Sequence, residues 1–143
     1  MYVETILRKK GDSVVTVDPA DTVSDAVQVL SKHRIGAALV RDAAGGIVGI
    51  LSERDIVRGV ARDKSNCLDM AVKDLMTSPV ISCKPDDNID EIMELMTERR
   101  IRHLPVMNGD ALVGIISIGD VVKQRISEIE NESEALRQYI TTG

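Results

Sequence analysis

At 143 residues and 43% hydrophobic content, the chain can bury one substantial core but cannot hold two large domains. A net charge of −5 argues against wrapping nucleic acid, which needs a basic face, and leaves room for a local basic pocket. With no Trp, no Phe and only Tyr2 and Tyr139, there is no stacking platform for single strands, so a flat ligand would lie between aliphatic side chains. The opening "MYVETILRKK" lacks the apolar run of a signal peptide, and no stretch approaches the roughly 18 apolar residues of a membrane span. Cys67 and Cys83 make no disulfide framework. These features lead us to expect a reduced, cytoplasmic protein with neither nucleic-acid nor membrane partners.

In chain order, "VETIL" (Val3–Leu7) precedes "VVTV" (Val14–Val17), a short strand, and "PADT", whose Pro and Asp are turn chemistry. Val23, Ala26, Val27 and Leu30 then fall at helical spacing. "GAALV" and "IVGIL" read as two arms of a hairpin around "DAAGG", where Gly permits positive φ. A helix follows from "SERD". After a mostly polar joining segment, "ARDKSNCLDMAVKDL", the same order returns. "VISC" (Val80–Cys83) is the strand, "PDDN" the turn, and Ile89, Ile92, Met93 and Met96 the helical stripe. "HLPVM" and "LVGII" form the hairpin around "NGD", and "SIGD" opens the last helix. Pro19 aligns with Pro85 and Arg34-Ile35 with Arg100-Ile101. Past the hairpin turn, Gly49 aligns with Gly114, Ser52 with Ser117 and Asp55 with Asp120. "VETIL" likewise matches "VKDLM".

The repeat predicts an α/β (α+β) fold. Two β-α-β-β-α units, 1–65 and 66–126, would bury their sheet faces against each other with pseudo-twofold symmetry, because a unit of this size is marginal alone. Residues 127–143 form a C-terminal helical extension. From Val122 a stripe of Val122, Ile126, Ile129, Ser133, Leu136 and Ile140 alternates spacings of four and three. It is either a face packed on its own domain or a face for self-association or for a partner.

Ser52-x-x-Asp55 and Ser117-x-x-Asp120 are capping-box signatures. A carboxylate in a helix's first turn can also accept hydrogen bonds from a ribose cis-diol, and the free N–H groups of a helix start suit a phosphate. Both readings stand on the residues alone. There is no G-x-G-x-x-G after a strand, no Walker-type loop, no metal-ligand spacing and no Cys/His or Ser/His nucleophile arrangement. Enzymatic activity and a bound metal are not expected.

The runs "HRIGAALVRDAAGGIVGILSERDIVRGVA" and "RRIRHLPVMNGDALVGIISIGDVVKQ" resemble a tandem pair of cystathionine-β-synthase-type (CBS) domains over about residues 1–125. The "SERDIVR" form with its short C-terminal helix is similar to small stand-alone bacterial signalling proteins. The resemblance implies a regulatory module that binds adenosine-containing ligands (AMP, ADP, ATP, NAD or S-adenosylmethionine) in clefts between the repeats, and often dimerises. The nucleotide would be a regulatory ligand, not a cofactor. Carried over by position, Ser52, Asp55, Ser117 and Asp120 are ribose or phosphate contacts, and Arg54 a phosphate contact with no counterpart at Gly119. Arg102 and His103 stand at a strand entry where relatives reach phosphate, whereas Gly36 and Ala37 make room for base or ribose. Thr16, Ile81 and Thr77 lie toward the adenine or sugar, with Arg8 at the position matching Thr77. The two pockets are therefore expected to be unequal. A homodimer transmitting a ligand-induced change to an unidentified effector is the functional expectation; the alternative is a structural dimerisation or interaction module with degenerate pockets.

Overall fold

A computed structural model describes residues 1–142, apart from the side chains of Ser65 and Thr142. The chain divides into two compact units: Ser13–Ile81, and a second made of Met1–Asp12 with Ser82–Gly143.

In the continuous unit, β1 (Thr16–Val17) pairs in parallel with β2 (Ala37–Arg41), and β2 pairs antiparallel with β3 (Ile47–Ser52). Between β1 and β2 runs α2 (Val23–His33), capped by the Thr22 side chain, which accepts from the Asp25 N–H. α3 (Glu53–Asp63) leaves β3 directly. A 3₁₀ helix (Lys64–Asp69) and the short α4 (Val72–Leu75) follow. Val17, Ala26, Leu30, Ala38, Val40, Leu51 and Val72 form the core. The joining segment read as mostly polar thus supplies core residues, Val72 and the fully buried Cys67. Gly59 of α3 admits it: a Cβ there would stand 2.7 Å from both Cys67 Sγ and Leu75 Cδ1.

The second unit has α1 (Val3–Lys10), α5 (Ile89–Arg99), the antiparallel pair β4 (His103–Asn108) and β5 (Ala111–Ser117), and the long α6 (Ile118–Thr142). Its core is Val3, Ile6, Cys83, Ile89, Ile92, Met96, Leu104, Val106, Ile116 and Val121. The strand expected at Val80–Cys83 is reduced to one parallel bridge, Cys83 to Val106. Cys83 N–H donates to Pro105 O and Cys83 O accepts from Met107 N–H, but Pro105 has no N–H to carry the ladder one bond further back.

The repeats are equivalent in fine detail. Both first helices end on a left-handed arginine, Arg34 at φ 54° and Arg100 at φ 53°. Both hairpins shift register at the same place, Val40/Arg41 and Val106/Met107. Glu53 N–H donates to Gly36 O at 2.9 Å, as Ile118 N–H does to Arg102 O at 2.8 Å.

The units nevertheless depart from the repeat boundaries drawn from the sequence. The start of α4 is tied to the first repeat's turn, Val72 N–H to Asp21 O (2.8 Å) and Lys73 N–H to Pro19 O (3.0 Å). The start of α1 is tied in the same way to the second repeat's turn, Val3 N–H to Asp87 O (3.0 Å) and Glu4 N–H to Pro85 O (2.9 Å). Each helix start carries orphan N–H donors that must find carbonyls. Each repeat's leading helix satisfies them on the turn of the other repeat.

Candidate functional site

Both Ser-x-x-Asp runs form at a strand-to-helix junction. At Ser52 the capping box is complete: Asp55 N–H donates to Ser52 Oγ (3.3 Å), and Asp55 Oδ2 accepts from Ser52 N–H (3.0 Å) and Ser52 Oγ–H (3.1 Å). Ser117 repeats the pattern, with Asp120 N–H to Ser117 Oγ (3.1 Å) and Ser117 N–H to Asp120 Oδ2 (2.9 Å). Glycine makes room behind each strand. A Cβ on Gly49 would collide with the Met76 side chain, and one on Gly114 would stand 2.6 Å from Leu7 Cδ2. Met76 and Leu7 are equivalent positions at the ends of "VKDLM" and "VETIL".

The two carboxylates have different third partners. Asp55 is 7% exposed, and its second oxygen, Oδ1, accepts from the Thr77 hydroxyl at 2.9 Å. Asp120 Oδ2 accepts from Lys10 Nζ at 2.6 Å, with the lysine and aspartate side chains 31% and 26% exposed. Burial pushes the Asp120 carboxyl up. The Lys10 hydrogen bond, the bonds from Ser117 and the Lys10 charge outweigh it, and the group lies below the ordinary aspartate range.

Arg8, aligned with Thr77 by sequence, instead pairs with Glu4 at 3.5 Å on the exposed side of α1. Sequence reasoning missed Lys10 because the extra "KKG" after Arg8 has no counterpart in the other repeat. A lysine at a helix C-terminus, where cations are favoured, was the available signal.

The remaining positions are distributed as follows. In the continuous unit, Ala37 pairs with Ser52 across the hairpin and Thr16 with Leu39. Gly36 is fixed by its bond from Glu53 and lines a cavity of about 560 Å³ with Leu30, Arg34 and Ile56. Arg54 is exposed on α3's first turn and Ile81 is 37% exposed beyond Thr77. In the other unit, His103 pairs with Ser117 across β4 and β5, and Arg102 precedes it, exposed. The structure thus gathers Ser52, Asp55 and Thr77 into one bonded group, and Ser117, Asp120 and Lys10 into another. Gly36, Ala37 and Arg54 adjoin the first, Arg102 and His103 the second. Among the described residues, no hydrogen bond joins Thr16 or Ile81 to Ser52, Asp55 or Thr77.

Comparison with known proteins agrees with this architecture. The CBS domain family matches residues 3–62 and 72–127. The crystal structure of a CBS-domain-containing protein from Agrobacterium tumefaciens superposes with a TM-score of 0.85 at 44% identity, covering 87% of this chain and 92% of that one. A CBS domain protein from Pyrobaculum aerophilum, complexed with AMP, gives 0.74 at 28% identity, covering 84% and 89%. A CBS domain pair in complex with 5-methylthioadenosine and S-adenosyl-L-methionine gives 0.79 at 25%, covering 90% and 98%. With two family matches, two capping boxes at equivalent junctions and solved relatives aligned over most of their length, the chain belongs to the CBS-domain family as a tandem pair.

Proposed function

We propose that the chain is a cytoplasmic regulatory module, not an enzyme, that senses an adenosine-containing small molecule such as AMP, ATP or NAD and acts as a homodimer on an effector protein. The observation that carries this reading is the duplicated Ser-x-x-Asp box, which sets a carboxylate beside helix-start N–H groups in each unit. That pairing suits a nucleotide: the carboxylate accepts ribose hydroxyls and the N–H groups favour phosphate. Solved relatives bound to AMP and to S-adenosylmethionine support the ligand class.

The two boxes are chemically unequal. Asp120 is the more accessible carboxylate, and Lys10 adds a cation beside it that suits an anionic ligand. Asp55 is buried with its Oδ1 bonded to Thr77, so a ribose hydroxyl there shares that oxygen with the threonine or displaces it. Arg102, His103 and Arg54 are assigned to phosphate, Gly36, Ala37, Thr16 and Ile81 to the base and sugar. A ligand shifts the module toward whichever conformation it binds more tightly.

The test is thermal unfolding with AMP, ATP and NAD. A ligand at about 100 times its Kd stabilises by about 2.7 kcal/mol. Asp120→Asn should remove most of that shift while leaving the unliganded protein folded. No shift with any adenosine compound overturns the sensing reading; a full shift in Asp120→Asn overturns the role of this carboxylate.

A further inference from the structure

The stripe that the sequence placed on α6 points away from the body. Toward the body α6 presents Val121 and Gln124, both buried, and Arg125, which reaches Asp90 Oδ1 on α5 at 3.7 Å and Glu128 Oε2 at 3.1 Å. Val122, Ile126, Ile129, Leu136 and Ile140 are 42–69% exposed, and every residue from Ile129 to Thr141 is exposed. A helical segment of this length without tertiary packing is marginal in water.

The spacing of the stripe is a heptad seam. Ile126, Ser133 and Ile140 take the a positions, and Val122, Ile129 and Leu136 take d. The flanking e and g positions decide what the seam fits. In a parallel, in-register pair, each g side chain meets the e side chain five residues further along the second copy. Arg125 then meets Glu130 and Glu132 meets Arg137, opposite charges in every case. An antiparallel pair that keeps the stripe in register sets Glu130 against Glu130, Glu132 against Glu132 and Lys123 against Arg137. All three are like-charged. Because Arg125 is shared with Asp90 and Glu128, the Glu132–Arg137 contacts set most of the orientation. Ser133 meets its own copy only in the parallel register, where one polar a residue fixes alignment.

We infer that residues 122–140 of α6 form a parallel two-stranded coiled coil with a second copy of this chain. The inference rests on the homodimer reading and deepens it by naming the surface and the orientation; it is independent of the ligand.

Sedimentation equilibrium of the full chain tests it. The wild type should be a dimer, and Ile129→Glu/Leu136→Glu, which alters only exposed side chains, should weaken association by at least about tenfold with unchanged unfolding of the body. Arg137→Glu should loosen the dimer and Glu132→Arg/Arg137→Glu should restore it. Ser133→Cys should give disulfide-linked dimers under mild oxidation, the native Cys67 and Cys83 being buried. A dimer that survives Ile129→Glu/Leu136→Glu overturns the helix assignment and leaves the homodimer reading standing. A monomeric wild type removes both. A mass above two chains overturns the two-copy assignment. Tightening by Arg137→Glu, with no Ser133→Cys cross-link, overturns the parallel orientation.

Discussion

Replacing Gly49 by alanine tests the contact that holds the segment after α4 against β3, and with it the geometry at Asp55. The added Cβ would overlap Met76 Sδ and lie 2.9 Å from Met76 Cγ and 3.1 Å from Thr77 O. The thioether can swing away, but the carbonyl is held: Thr77 O accepts from Ile50 N–H at 3.0 Å, and Thr77 N–H donates to Ile50 O at 2.9 Å. Overpacking of this kind costs about 1–3 kcal/mol. Relief of glycine's strand-interior entropy cost returns about 0.5–1 kcal/mol. Taking the middle of each range, the net expectation is a loss of about 1 kcal/mol in urea unfolding. Met76→Ala removes the two closest atoms and leaves the Thr77 carbonyl. In the double-mutant cycle, Gly49→Ala should therefore cost less by about 1 kcal/mol in the Met76→Ala background. A neutral Gly49→Ala, or strict additivity with Met76→Ala, would refute the close approach as the reason for this glycine.

Three further outcomes are expected. Thr77→Val removes the hydroxyl bonded to Asp55 Oδ1 and should lower stability by about 1 kcal/mol, at the modest end because Thr77 is exposed; denaturant unfolding that matches wild type would show the bond contributes nothing. Asp120's lowered pKa gives stability that is fully present above the unfolded aspartate value near ~4 and is lost as pH falls through the lower folded value. Lys10→Met should raise that pKa toward normal and flatten the acid limb of a stability–pH curve. An unchanged limb would assign the shift elsewhere. Burial, with a smaller contribution from Asp87, pushes the Cys83 thiol up to about 12, so iodoacetamide at pH 8 should leave it unmodified in the native protein; labelling at the rate of a free peptide thiol would contradict that burial.

Where sequence and structure agree, local chemistry was decisive. Ser-x-x-Asp determines a cap through bonds within four residues, so both boxes were readable. The glycine-containing turns at Gly45 and Gly109, at φ 88° and 62°, announced both hairpins for the same reason. What escaped the sequence depends on distant partners. The likeness of "VETIL" to "VKDLM" showed two equivalent helices but not whose turn each would cap, since Pro-x-Asp turns occur in both repeats. Lys10 lies 110 residues from Asp120 in sequence, and its place at a helix C-terminus marks it as a favoured cation without naming its partner. On α6, periodicity found the apolar stripe but could not assign its side. The body takes Val121 together with a buried glutamine, Gln124, whose Oε1 accepts from Lys9 Nζ at 3.0 Å, and so the apolar face is left outward. The expected strand at Val80–Cys83 failed where Pro105 of the partner strand lacks a ladder donor.

The crossed attachment of the leading helices also imposes an order of assembly during synthesis. Residues 13–81 are continuous, so the ribosome delivers every part of that unit before the other can be completed from Ser82 onward. Its internal links, Asp21 to Val72 for example, close loops that are already complete. α1 is made before that unit but has its carbonyl partners at Pro85 and Asp87, and its buried Val3 and Ile6 have nothing of their own unit to pack on until residues beyond 82 emerge. The helix must wait until the continuous unit has been made, and its closure spans the whole of that unit. Long-range closure of this kind slows folding, which makes docking of α1 a late step, taken after the continuous unit is already built.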